Sequence, residues 1–232
     1  MTESRHDARL AIVSREALIA NLSTLDAQNG FVDVSSDAFG HGLNIVVPIC
    51  QEIGVARFTV SRESEADSLR RLFPGLSFEI AEIDEARVSR TYGLSAHDGE
   101  QFTPVMTLKA EILATKQIEA GAGVSYGYTW RAPRKGWLAL SALGYADGFN
   151  RAWGNRVTAQ RQGVSYPAVG RVAMDAHSVF TGDLELSPGD RLTYFGQDAD
   201  QNFYASALAE AVGCSPLSVT SNFNSRVTRV VR

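Results

Sequence analysis

Near residue 100 the apolar segments of this chain change their spacing, and that change limits the fold more than any other feature of the sequence. Before it, strand-like and helix-like runs alternate. ARLAIV (8–13) reads as a strand leading into a helix, in which Leu18, Leu22 and Leu25 recur at spacings of four and three, marking one buried face. FVDVSSDAFGHG (31–42) reads as a strand entering a glycine-rich loop. LNIVVPICQEIGV (43–55) reads as a helix bounded by Asn44 and Gly54. RFTVS (57–61) and LSFEIAEI (76–83) are strands around the helix ESEADSLRRLF (63–73). Such alternation implies a parallel sheet of barrel or doubly wound type.

After HDGEQ (97–101) the apolar runs are short and broken by glycine: VMTLKAEILAT, GWLALSAL, RVTAQRQG, YPAVGRVA and RLTYFG. That pattern predicts an antiparallel β domain of barrel or sandwich type, with one helix (ASALAEAVG) before the final strand SRVTRVVR. The fold class expected is therefore α/β plus all-β, with a boundary at HDGEQ dividing the chain into residues 1–100 and 101–232.

A net charge of -4 and a pI near 5.6 leave no electrostatic footprint for nucleic acid or an anionic membrane. The opening MTESRHDARL carries no long apolar run, so neither a signal peptide nor a membrane span is expected. Cys50 and Cys214 lie far apart, and His6, His41, His97 and His177 are scattered. No metal-ligand spacing is present, and a reduced cytoplasmic setting is the expectation.

Four ordered segments resemble the alanine racemase family of fold type III. Val34-Ser35-Ser36-Asp37-Ala38-Phe39-Gly40-His41-Gly42 is similar to the family's V-K-A-N/D-A-Y-G-H-G. Gly144-Tyr145-Ala146-Asp147-Gly148, followed by Arg151, is similar to G-Y-A-D-G-x-x-R. Val169-Gly170-Arg171-Val172-Ala173-Met174-Asp175 matches V-G-R-V-x-M-D, and Ser225-Arg226-Val227-Thr228-Arg229-Val230 resembles the family's closing segment. The likeness is loose over residues 9–95 and close over 102–232.

The resemblance implies a (β/α)8 barrel followed by a β domain. A whole barrel needs about 250 residues, and about 100 precede the β domain here. The strands at VDVSS, RFTVS and SFEIAEI look like the family's first three. Tyr92-Gly93-Leu94-Ser95 resembles the Y-G-L-S that follows its last barrel strand. About half a barrel is expected, as one sheet in the order 8-1-2-3.

In the family, the lysine of the first motif holds pyridoxal phosphate as a Schiff base and acts as a base on the substrate carbon. Ser35 occupies that position, and a serine can do neither. The three lysines, Lys109, Lys116 and Lys135, all fall in the β domain. Phe39 replaces a tyrosine that would reach the phosphate, and Leu217 stands where the family has another phosphate-binding tyrosine. Ser35, Phe39, His41 and Leu217 are thus remnant cofactor positions, expected to be non-binding and to pack a vacated pocket. His41 is read as bracing its own loop. No bound cofactor is expected.

Tyr145 stands at the family's second base, which acts across a dimer interface, and Met174 and Asp175 at positions lining the partner's substrate pocket. The bland alternative is that GYADG persists as a turn, with Asp147 capping amides and Gly148 at positive φ. A half barrel exposes strand ends and apolar surface that need a cover, so an oligomer, most simply a dimer, is expected. The leading expectation is a racemase-like protein without racemisation of its own, which works by homodimerisation or by pairing with a full-length racemase. The alternatives are an active amino-acid racemase using Tyr145 as base and a small-molecule binding protein reusing the emptied pocket.

Overall fold

The computed structural model describes residues 7–27, 30–96 and 102–232. The strands are β1 (Arg9–Val13), β2 (Val32–Asp33), β3 (Arg57–Val60), β4 (Ser77–Ile80), β5 (Met106–Ile118), β6 (Gly123–Val124), β7 (Trp130–Arg131), β8 (Gly136–Ser141), β9 (Thr158–Arg161), β10 (Val164–Val169), β11 (His177–Gly182), β12 (Arg191–Asp198), β13 (Gln201–Phe203) and β14 (Thr228–Val231). The helices are α1 (Arg15–Thr24), α2 (Ser35–Phe39), α3 (Leu43–Glu52), α4 (Glu63–Leu72), α5 (Glu85–Tyr92), α6 (Ala205–Val212) and α7 (Pro216–Ser221). None of the described helices is long and apolar enough to cross a membrane. The boundary expected at HDGEQ lies outside the described residues, as do His6 and His97.

The first part is a layer of helices on a small parallel sheet in the order β2-β3-β4. Phe58 and Phe78, neighbours in register on β3 and β4, stack with ring centroids 5.4 Å apart. Around them Leu18 and Leu22 of α1, Val46, Val47 and Cys50 of α3, Leu69 of α4 and Val88 of α5 form one core. Alternation of strand and helix therefore predicted this layer correctly.

The expected fourth strand is absent among the described residues: the run leading into Tyr92–Ser95 is helix α5. Asp84 caps it by accepting the Arg87 amide at 3.0 Å, Val88 and Tyr92 bury one face four residues apart, and Gly93 ends it in the left-handed conformation. A capped segment with that spacing satisfies its backbone within itself and has no use for a sheet edge. Asn44 also differs from expectation, lying inside α3. The first amide of that helix, Leu43 N–H, is taken instead by the Asp37 carboxylate at 2.8 Å.

The second part is a closed barrel. Pairings run β12-β9-β10-β11-β8-β5, and β5 pairs again with β12, so six antiparallel strands meet end to end. Closure removes the open edges that a six-stranded sheet would carry. Its core includes Leu108, Ile112, Phe149, Trp153, Leu192 and Phe195. Inside it His177 meets the Leu143 carbonyl through Nδ1 at 2.6 Å and the Tyr194 hydroxyl through Nε2 at 2.8 Å, while Phe149 stacks on its ring at 4.4 Å.

Strand β1 joins the two parts. It runs antiparallel to β5 and parallel to β14, which places it in the sheet of the second part although it opens the chain. Ser14 follows it directly and caps α1 by accepting the Ala17 amide at 3.1 Å. One residue thus separates a strand of one part from a helix of the other.

Candidate functional site

The four sequence motifs meet along one seam, and the segment from α7 to β14 is its centre. Arg229 reaches back to the first motif, with Nε donating to the Gly40 carbonyl at 2.6 Å while Nη2 donates to the Phe223 carbonyl at 2.8 Å. Asn222 donates to the carbonyl of Gly148, and Asn224 to that of Ala146 at 2.7 Å, which ties the second motif to the same segment. Tyr145 N–H and Ala146 N–H donate to the Ala173 and Met174 carbonyls at 3.0 and 2.9 Å, which ties the second motif to the third.

Charge locks the seam at Asp147. Its carboxylate is fully buried; Oδ2 lies 2.8 Å from Arg9 Nε and accepts the Gly144 amide at 2.8 Å, and Oδ1 lies 2.9 Å from Arg226 Nε. Arg226 Nη2 continues to Asp175 Oδ1 at 2.5 Å, and Arg9 Nη2 donates to the Asp175 carbonyl at 3.1 Å. Gly148 sits at φ +108°, and a Cβ there would lie 2.2 Å from the Asn222 carbonyl oxygen, so the close approach requires glycine. Arg9 carries no local signal in the sequence; its role follows only from the placement of β1.

Tyr145, Met174 and Asp175 line a 330 Å³ recess with Tyr126, Arg151 and Val172. Tyr145 and Arg151 also border a more open, polar cleft with Asn150, Asn222 and Asn224. Tyr145, Met174 and the Asp175 carboxylate are about half exposed. The phenol, one guanidinium and one carboxylate face solvent at a common mouth, an arrangement suited to gripping a small charged molecule or another chain.

The first motif is wound the wrong way for L-residues. Ser36, Asp37, Ala38 and Phe39 have φ between 50° and 58°, so α2 is a left-handed turn. Each such residue costs roughly 1–2 kcal/mol, and surrounding contacts hold the strain in place. Glu65 Oε1 accepts the Ser36 amide at 2.7 Å, and His41 Nδ1 meets the Ala38 carbonyl at 2.9 Å. Ser36 has an exposed side chain, so Ser36→Gly should relieve strain without opening a cavity and raise stability by about 1 kcal/mol. A fall in the thermal midpoint would contradict this account of the turn.

Ser35 begins the turn and is fully buried. Its hydroxyl donates to Asp33 Oδ1 at 2.6 Å and its amide to the same oxygen at 2.9 Å. Burial raises the Asp33 carboxyl above its ordinary value, partly offset by these two bonds. Tyr92 donates to the Asp33 carbonyl at 2.8 Å, and the Phe39 ring packs 5.7 Å from the Tyr92 ring. Leu217 is half-buried against the same core. Lys109 and Lys116 lie on β5, and Lys135 pairs with Glu119 at 3.1 Å, all in the second part. Among the described residues no three His, Cys, Asp or Glu side chains are grouped to hold a metal.

Burial holds His41 and His177 at about 4, below the ordinary 6.5. Both are neutral in the fold and take up protons on unfolding below pH 6.5, so stability falls as the pH drops from 6.5 toward 4. The raised Asp33 carboxyl acts in the opposite sense, losing its contribution as the pH rises through its folded value. His41→Gln and His177→Gln should therefore each flatten the pH dependence of stability by about one proton relative to the parent between pH 4.5 and 6.5. Parallel curves for parent and variants would refute the assignment.

A parallel β/α layer docked on a closed six-stranded barrel, with its motifs gathered at their seam, defines the class of protein. Residues 105–231 match the family model described as alanine racemase, C-terminal domain. Alanine racemase from Salinispora tropica is 44% identical over 143 residues, covering 61% of this chain and 38% of that protein. Alanine racemase from Mycobacterium tuberculosis is 37% identical over 187 residues, covering 78% and 47%. The chain belongs to the alanine racemase family. It spans less than half the length of these curated relatives. The fold is shared with alanine racemase from E. faecalis (TM-score 0.83, 16% identity, 100% of each chain covered). It is shared too with alanine racemase from D-cycloserine-producing Streptomyces lavendulae (TM-score 0.81, 19% identity, 100% and 98% covered).

Proposed function

We propose that this chain is a racemase-like binding protein that does not carry out pyridoxal-phosphate-dependent racemisation itself. The observation that carries the proposal is Ser35. The first motif offers a buried hydroxyl already committed to Asp33 where an amine is required. A hydroxyl forms no imine, and the lysines of the chain belong to the barrel strands and their loops. The neighbouring positions do not fit the cofactor either: Phe39 and Leu217 present hydrocarbon where a phosphate needs donors, Phe39 within the core and Leu217 half-buried against it. Loss at several contacts together favours a vacated pocket over a displaced substitute.

The preserved features face outward. Tyr145, Met174 and Asp175 stand at an open mouth, and among the described residues the β2-β3-β4 sheet ends in unpaired strands, with Leu72, Ile80 and Ile83 exposed. Association is the physical remedy for such edges. The chain forms a dimer with its own copy or with a full-length racemase, to which it presents Tyr145 in trans. A second reading, an active racemase with Tyr145 as its base, is favoured by the exposure of that phenol beside Arg151 and Asp175.

Incubation with pyridoxal phosphate, borohydride reduction and mass spectrometry separate the two. The expected result is no absorption band near roughly 420 nm, no lysine-specific adduct and no racemisation of alanine. A reduced adduct on one lysine, with racemisation abolished by Tyr145→Phe, would establish the second reading instead. Sedimentation at micromolar concentration tests association: a dimer is expected, and a monomer that also fails to co-purify with an intact racemase would remove the binding role.

A further inference from the structure

A second charged cleft lies on the outer wall of the barrel and shares no lining residue with the recess at Tyr145. It has a volume of about 310 Å³ and is lined by Ile12, Lys109, Arg161, Gln162, Arg191, Asp198 and Arg232. Four cations and one carboxylate line it, in a chain whose net charge is -4. Such a concentration of one sign in an acidic protein needs a physical reason, because like charges repel at this range.

Arg161 and Arg232 have partners of their own, whereas Lys109 and Arg191 have no ion pair among the described residues. Asp198, which lines the cleft, is engaged by neutral donors, with Oδ1 accepting from the Thr193 hydroxyl at 3.1 Å and Oδ2 from the Gly163 amide at 3.4 Å, and it makes no ion pair with the four cations among the described residues. Asp190 pairs with Arg161 at 2.9 Å and neutralises that one guanidinium. Arg191 donates to the Asp7 carbonyl at 3.2 Å, a neutral acceptor. Glu111, in register with Arg191 on the adjacent strand, forms no ion pair among the described residues. Lys109 has neutral in-register neighbours, Leu10 on β1 and Thr193 on β12, and its ammonium has no hydrogen-bond or ion-pair partner among the described residues.

The cleft is also pre-organised. Lys109, Arg161 and Arg191 rise from three strands of the closed barrel, β5, β9 and β12. The Arg161 guanidinium is fixed by a further bond to the Arg191 carbonyl at 3.1 Å, and the Arg232 main chain by bonds to Val13 and Arg15. Guanidinium forks together with an ammonium match the tetrahedral oxygens of phosphate better than they match a planar carboxylate alone. The volume is at the lower end for small-molecule sites, which selects a compact ligand.

We propose that this cleft binds a small, multiply charged phosphate anion, with Lys109 and Arg191 as its main contacts. The site is separate from the recess at Tyr145 and does not depend on whether the chain racemises anything. The test is calorimetric titration of the intact chain with inorganic pyrophosphate at low salt, repeated with sodium chloride at matched ionic strength. Saturable binding at one site is expected, weakened about tenfold by Arg191→Gln and at least as much by Lys109→Glu. Arg232→Gln should weaken it as well. As a control, Arg71→Gln on exposed α4 should leave it unchanged. No saturable binding of pyrophosphate, or binding that survives Lys109→Glu, would overturn the proposal, as would heats reproduced by chloride alone.

Discussion

Asp147→Ala is expected to destabilise the protein by about 3 kcal/mol, measured by urea unfolding. The carboxylate is fully buried, ion-paired with Arg9 and Arg226, and accepts a hydrogen bond from the Gly144 amide. Removing one side of a buried ion pair costs roughly 3–5 kcal/mol because the remaining charge is stranded. Here two guanidinium groups would be left facing each other. Their side chains remain 20% and 41% exposed, which lets water recover part of the loss and places the effect at the lower end of that range. Arg226→Gln, which leaves Asp147 paired with Arg9, should cost much less, because the Arg226 guanidinium is open to solvent. Equal and small losses in both variants would show that packing, not charge, closes the seam. Asp147→Ala should also loosen the recess bordered by Tyr145 and Asp175, since both residues hang from the hydrogen bonds around this carboxylate.

Gly40→Ala should be at least as damaging, at about 4 kcal/mol. The residue sits at φ +82°, and an added Cβ would lie 2.2 Å from the Thr220 carbonyl oxygen and 2.8 Å from its carbon. Both are backbone atoms of α7 and cannot rotate away. The conformational penalty is roughly 1–2 kcal/mol, and forced displacement of packed backbone adds roughly 1–3 kcal/mol or more. Gly54 supplies the control, with φ +86° and no atom within 4 Å of where a Cβ would stand. Gly54→Ala should show the conformational penalty alone, about 1 kcal/mol. The difference between the two variants measures how tightly the first motif is seated on α7. Hydrogen exchange should quicken at Val219 and Thr220 in Gly40→Ala and stay unchanged in Gly54→Ala; comparable losses in both would mean that the contact yields easily.

Much of the fold was legible because its signals are local. Leu18 and Leu22 at a spacing of four, the amphipathic run 63–72, and glycine-separated strands after residue 105 each declare their own secondary structure. Helix α5 was legible too, in the Asp84 cap and the Val88–Tyr92 spacing, but the likeness of Tyr92–Ser95 to a segment that follows a strand pointed the other way. The left-handed turn at 36–39 was invisible for a different reason: three of its four residues are not types that favour positive φ, and only outside contacts hold them there.

The candidate site divides in the same way. The residue types at Ser35, Tyr145, Met174 and Asp175, and the family to which their motifs point, are properties of the sequence by itself, since they depend on identity and order. Their convergence is not. Arg9 contacts the Asp175 carbonyl across 166 positions of chain, and Arg229 reaches Gly40 across 189. Those meetings exist only because β1 pairs with both β5 and β14 and because β5 pairs a second time with β12 to close the barrel. Strand periodicity says which side of a strand is buried but not which strand lies beside it. Partner choice is settled by burial and hydrogen bonding summed over the whole barrel, and only the tertiary structure carries that sum.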